Sequence, residues 1–356
     1  MSDDASPEPD RLDGAPHPRM TARLHGQGAA EAALLAAWNE GRLHHALLLT
    51  GPRGVGKATL AWRIARFLLA DPPRPARTLD PPPDHPALRR IAALSEPRLL
   101  LLRRPWDAAR GRLREEITVE EARRLRPFLG MTAGGRRVVV VDAADDLNRA
   151  AANAILKHLE EPPPGATFLL VSHRLGGLLP TIRSRCRTVP LLPLGTDDLR
   201  AAVTQAGGGP DDARALAVLA EGSVGGALAL ADEGAEIYAA LVALFARPLD
   251  PAAGRRLADG CAGKGSTGRL DATVDMLQRL MHRAALAGTA GAPLEAVPGE
   301  VATLARLAPD PAAARRLAEA APRLAARAAH ARAVNVEASA LVWDQLAAVE
   351  AAARGA

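Results

Sequence analysis

Residues 44–50, HHALLLT, form an apolar run too short for a helix, and the next nine, GPRGVGKAT, crowd three glycines and a lysine into one turn. A run of that length suits a strand buried on both faces. After the turn, GKATLAWRIARFLLA (56–70) carries Leu60, Ile64 and Leu68 at helical spacing. Strand, glycine turn and helix in that order predict a phosphate-binding loop, in which backbone N–H groups at a helix N-terminus cradle phosphate and a lysine reaches its outer oxygens. Gly51, Gly54, Gly56 and Lys57 are the candidate nucleotide contacts. The pattern is incomplete. Where G-x-x-x-x-G-K-[ST] places a magnesium-binding hydroxyl, the chain has Ala58.

The rest of the first half keeps the same alternation. Residues 27–40 read as an amphipathic helix, 97–102 (PRLLLL) as a strand, and 117–130 as one helix opened by a Thr118–Glu121 capping box. RRVVVVDAADDLN (136–148) reads as a buried strand ending in acids. Residues 148–165 follow as a helix stopped at Pro162, TFLLVSH (167–173) as a strand, and LLPTIRSRC (178–186) as a turn before RTVPLLPL (187–194). Continuous apolar strands alternating with helices predict an α/β domain, a parallel sheet with helices on both faces. The proline-rich stretch 71–84 reads as a surface excursion. Beyond residue 195 strand signals stop; 196–235 reads as a small helical domain and 236–356 as a larger all-helical one. The acidic, proline-bearing segment 1–24 reads as a disordered tail without signal-peptide character.

Composition narrows the function classes. No apolar run reaches about eighteen residues, so no membrane span is expected. Two cysteines, Cys186 and Cys261, cannot frame a disulfide scaffold or a cysteine zinc site. None of the nine histidines sits in a metal-binding pattern, and no serine–histidine–acid arrangement stands out. A formal charge of +5 and a pI near 9.9 suggest a polyanionic partner. Yet only three of the 45 basic residues are lysines, and the chain is rich in Ala, Pro and Gly, as GC-rich coding produces. Direct DNA contact stays open on this ground. The scarcity of lysine sharpens Lys57, because a compact ammonium suits phosphate already held by backbone N–H groups.

Two further positions carry candidate chemistry. Asp142 ends a buried strand 85 residues after Lys57, where a carboxylate orients magnesium and its waters; the next position, where an ATPase often has a second acid, is Ala143. Asp145 and Asp146 read as solvated or as caps of the helix near Asn148. Arg183, Arg185 and Arg187 alternate around SRC, either as a solvated face or with one acting as an arginine finger on a neighbour's nucleotide.

Together GRLHHALLLTGPRGVGKATLA, RRVVVVDAADDLNRAAANAILKHLEEPPPGATFLLVSH and LLPTIRSRC resemble the bacterial AAA+ clamp-loader family of DNA polymerase III, and within it the delta-prime group. The match covers about residues 25–195, and DLNRAAANAILKHLEEPP is its most specific block. The resemblance implies an AAA+ domain (25–195), a lid (196–235) and a collar domain (236–356). It further implies a cytoplasmic bacterial hetero-pentamer with motor and delta subunits, which opens a sliding clamp and places it on primer-template DNA. It assigns Gly51, Gly56 and Lys57 to the phosphate loop, Asp142 to the magnesium side, Ser172 to a polar strand-end sensor and Arg185 to the trans-acting finger. Active motors of this family have a loop Ser/Thr, an acid after the strand Asp and a lid arginine; here Ala58, Ala143 and Gly225 stand there. The resemblance therefore implies a stator that binds ATP or ADP weakly at most and does not hydrolyse it. The family's cysteine zinc module is absent, so no zinc is expected. The rival readings are an active ATPase motor or other P-loop NTPase, and a DNA-binding module. The second lacks aromatic support at 3% Phe, Trp and Tyr, with basic residues scattered.

Overall fold

The apolar runs pair into one sheet. The computed structural model describes residues 8–9, 11, 15–131, 135–207, 213–230, 233–262 and 267–355. In chain order the strands are β1 (Ala46–Thr50), β2 (Leu99–Arg103), β3 (Trp106–Asp107), β4 (Arg112–Leu113), β5 (Arg137–Asp142), β6 (Ala166–Ser172) and β7 (Arg187–Pro190). The main sheet runs β2-β5-β6-β1-β7, with every neighbouring pair parallel. All of β1 and β6 is buried, as a sheet covered on both faces requires. Edge strand β2 alternates instead, with Leu100 and Leu102 in the core and Leu99, Leu101 and Arg103 half-buried.

Helices occupy the crossovers. α1 (Gly28–Asn39) precedes β1, α2 (Lys57–Leu69) and α3 (Pro86–Ala92) follow it, and α4 (Val119–Arg123) and α5 (Leu125–Gly130) lead into β5. α6 (Arg149–Glu160) joins β5 to β6 and α7 (Pro180–Arg183) joins β6 to β7. The single helix expected over 117–130 is two. Pro127 has no N–H and its ring collides with the carbonyl four residues back, at Arg123, where α4 ends. Thr118 sits at the N-cap but makes no side-chain bond to the backbone there. α6 is bounded as read: the Asn148 side chain accepts the Ala151 N–H at 2.9 Å, and prolines follow Glu161. The β3–β4 hairpin was not anticipated, since two residues per strand leave no period to read.

The proline-rich stretch is fastened, not loose. Trp38, 2% exposed, donates its indole N–H to the Pro73 carbonyl at 3.2 Å, and the guanidinium groups of Arg74 and Arg136 each lie 4.4 Å from its ring centroid. Asn39 bonds both ways to the Ala76 backbone, at 2.7 and 2.9 Å, and Arg63 reaches Glu31 and Asp80. Trp38→Ala removes the pin of this strap and leaves a core cavity, so a loss of about 3–5 kcal/mol in urea unfolding is expected. A loss below about 1 kcal/mol would show that the strap is held elsewhere. Of the expected tail, residues 1–7, 10 and 12–14 lie outside the described residues. Within 15–24, Ala15, His17 and Leu24 are buried, and Arg66 donates to the carbonyls of Arg19 and Thr21.

Contacts divide the chain into two compact units, Met1–Gly207 with Gly222–Gly225, and Gly208–Glu221 with Gly226–Ala356. The first takes α8 (Thr196–Gln205). α9 (Ala213–Leu219) belongs to the second, and α10 (Val224–Leu230) begins in the first and continues into the second. The second goes on with α11 (Gly234–Phe245), α12 (Pro251–Asp259), α13 (Thr267–Ala290), α14 (Glu300–Leu307), α15 (Pro311–Ala333) and α16 (Ala338–Arg354). Asp250 and Asp310 cap α12 and α15, each ahead of a first-turn proline that has no N–H to orphan. Leu277, Leu280, Leu304, Leu317 and Leu346 are among its fully buried side chains. Among the described residues no helix is long and apolar enough to cross a membrane.

Candidate functional site

The C-terminal edge of the parallel sheet collects the candidate residues, as open α/β sheets tend to do. Thr50, the last residue of β1, lies opposite Ser172, the last of β6, and Asp142 ends β5. Gly51, Gly54 and Gly56 leave β1 with φ of 140°, 76° and 97°, backbone that other residues rarely adopt, and Gly56 caps α2 from the left-handed region. Strand, glycine turn and helix therefore follow one another, with Lys57 as the first helical residue.

Its lysine is turned inward. Lys57 is 3% exposed; its Nζ donates to the Gly51 carbonyl at 2.8 Å and also to that of Pro52. Burial pulls its pKa down to about 8, Asp142 and Asp145 push it back up, and Arg53 lowers it again. The crest of the loop is covered by residues 222–225. The Val224 N–H donates to the Gly54 carbonyl at 2.9 Å, and a Cβ placed on Gly54 would stand 2.2 Å from the Ser223 Oγ and 2.7 Å from the Gly225 N. So close an approach needs glycine at position 54.

Asp145 organises the rest of the edge. Its carboxylate accepts from the Ser172 hydroxyl at 3.1 Å, the His173 N–H at 2.6 Å and the Arg174 N–H at 3.1 Å. This corrects the reading of Asp145 as solvated or as a helix cap: it ties the turn after β5 to the end of β6, and Asn148 caps α6. Asp146 is not solvated either; it pairs with Arg104 at 3.2 Å, and burial raises its pKa. Sequence spacing could not separate Asp145 from its neighbours in DAADD, because only the β5–β6 pairing brings it to Ser172.

Arg185 stands apart from the loop, in the turn between α7 and β7. Its guanidinium meets Glu160 at the end of α6 at 2.6 Å and donates to the Thr181 carbonyl at 2.9 Å, with its side chain 34% exposed. Arg183 and Arg187 are exposed on either side. Cys186 is half-buried, and burial drives its thiol up to about 12, which disfavours the thiolate.

Residues 26–195 match the family model described as DNA polymerase III, delta subunit. Over 157 residues the chain is 40% identical to the DNA polymerase III subunit delta' of Pseudomonas aeruginosa, an alignment covering 42% of this chain and 45% of that one. Residues 26–195 are thus similar to delta-prime subunits of DNA polymerase III. The delta' subunit of Escherichia coli K12 is 32% identical over 200 residues, covering 51% of this chain and 57% of its own. A DNA polymerase III subunit gamma of Buchnera aphidicola is 30% identical over 212 residues, covering 57% and 54%. The chain thus spans about half the length of the curated relatives it matches. Its parallel sheet with helices in the crossovers, followed by further helices, is the α/β architecture expected from the sequence.

As arranged, the loop and its surroundings do not fit a magnesium–nucleotide complex. Ala58 offers no ligand, Ala143 lines the end of β5 without a carboxylate, and Gly225 supplies backbone to the loop crest instead of a guanidinium. A phosphate would also have to draw Lys57 away from two carbonyls. Among the described residues, no three His, Cys, Asp or Glu side chains gather as a metal site.

His173 reports on the same edge. Burial holds its pKa down at about 4, reinforced by Lys57 and Arg53 and opposed by Asp145. The unfolded chain then binds the extra proton from about pH 6.5 downward, and the folded chain only near 4. Stability rises with pH across that window and is lost from this group as pH falls through it. An NMR titration should give a His173 midpoint near 4; a midpoint near 6.5 would mean that the edge is open to water.

Proposed function

We propose that the chain is a non-hydrolysing stator subunit of a bacterial DNA polymerase III clamp loader, cytoplasmic and assembled with motor and delta subunits. The observation that carries this is the phosphate loop turned on itself: Lys57 bonded to its own loop carbonyls, Ala58 in the hydroxyl position and 222–225 seated on Gly54. A motor uses those groups to hold metal and outer phosphates. In this reading the loop is a structural joint that takes ATP or ADP weakly at most. Residues 196–235 serve as a lid and 236–356 as the collar that holds the pentamer. Arg185 is the part that still acts, offering its guanidinium to a nucleotide on the adjacent motor subunit. Through the assembly the chain helps open the sliding clamp and place it on primer-template DNA.

Reconstitution tests the assignment. The chain is mixed with the motor and delta subunits, the clamp and primed DNA of its own replication system. Clamp loading should require it and survive Lys57→Ala. Loading that proceeds equally well without the chain would sink the reading.

A further inference from the structure

Edge strand β2 leaves one face partly uncovered. Leu99, Leu101 and Arg103 line a cavity of about 350 Å³ there, together with Leu94 and Trp106, and the chain's own Pro9 forms part of its wall. The residue before it supplies the charge. The Glu8 Oε1 accepts from the Arg19 Nη1 at 2.7 Å and the Arg103 Nη2 at 3.0 Å. Arg19 is itself braced, its Nε donating to the Ala92 carbonyl at 3.0 Å. A carboxylate between two arginines and a proline beside leucines and a tryptophan make a recognisable two-point grip, formed between residues 95 apart in sequence.

The chemistry of that grip is specific. Proline holds its own φ and drives the preceding residue extended, so a Glu-Pro pair arrives preorganised and loses little entropy on docking. Guanidinium pairs select a carboxylate. None of this depends on the phosphate loop or on Arg185, so the inference stands apart from the stator reading.

We propose that this groove is a binding site for short acidic, proline-containing peptide segments. Glu8–Pro9 is its ligand in cis, and a partner's segment of the same chemistry displaces it.

The test uses the full chain and a labelled heptapeptide, SPEPDRL, copied from residues 6–12. Glu8→Gln with Pro9→Gly weakens the resident ligand while leaving the groove intact. Fluorescence anisotropy should show this double variant binding the peptide at least ten-fold more tightly than the unaltered chain. The margin follows because a tethered ligand competes at an effective concentration in the millimolar range. Adding Arg103→Glu should abolish binding, as should Leu101→Arg, with an unchanged circular dichroism spectrum and melting curve as the check on folding. Equal binding by both chains, binding by neither, or binding that survives both groove variants in folded protein would each overturn the proposal.

Discussion

In a clamp loader assembled around this chain, Arg185→Ala is expected to lower ATP turnover at the site it faces by about three orders of magnitude, with the complex still intact. Arg185 is parked on Glu160, 2.6 Å away at the end of α6, and remains 34% exposed, so it is positioned without being buried. Breaking a pair of this exposure costs little, on the order of 1 kcal/mol or less, so a neighbour's phosphate competes readily for the guanidinium. Lysine should not substitute, because it lacks the planar fork that meets two phosphate oxygens at once. Arg183→Ala and Arg187→Ala, on the exposed flanks, should leave turnover within about two-fold. Size-exclusion chromatography confirms assembly before turnover is read. Unchanged turnover in an intact Arg185→Ala complex would remove the finger from the account.

Glu300→Ala should cost about 3–5 kcal/mol, the price of leaving a buried guanidinium without its partner. Glu300 is fully buried. It accepts from Tyr238 at 2.5 Å and from the Arg283 Nε at 2.6 Å, and its other oxygen takes the Ala296 N–H at 2.5 Å. Burial alone would raise its pKa, yet the bonds from Arg283 and Tyr238 outweigh it and hold the carboxyl below its ordinary value. Because the folded value is the lower one, the contribution is complete above the ordinary carboxylate pKa, about 4.3. It is lost as pH falls from there through the folded value. A thermal melt at pH 7 should move down by about 10 °C or more. Replacing the pair together, Arg283→Met with Glu300→Leu, should recover most of that loss, since no charge is then stranded. A double variant no better than Glu300→Ala would mean that the network does more than neutralise itself.

The sheet was legible because β1, β2, β5 and β6 each carry a continuous apolar run and α6 has a recognisable signal at each end, Asn148 and Pro162. Gly51, Gly54, Gly56 and Lys57 were legible for the same local reason. What escaped depends on distant parts of the chain. Asp145 reaches Ser172 only through the register of β5 with β6, and 222–225 reaches Gly54 only once the chain has folded back. Trp38 gave no hint that it would grip residues 73 and 74. The break at Arg124 has a local cause in Pro127, whose ring stops α4 at Arg123, whereas the Thr118–Glu121 spacing marks only where a helix begins.

The central claim is that this loop no longer turns over nucleotide, and magnesium-dependent ATP hydrolysis by the purified chain tests it most directly. Turnover no higher than that of Lys57→Ala under the same conditions is the expected result. Turnover of about 1 s⁻¹ or faster, abolished by Lys57→Ala, would contradict it and make the chain a motor.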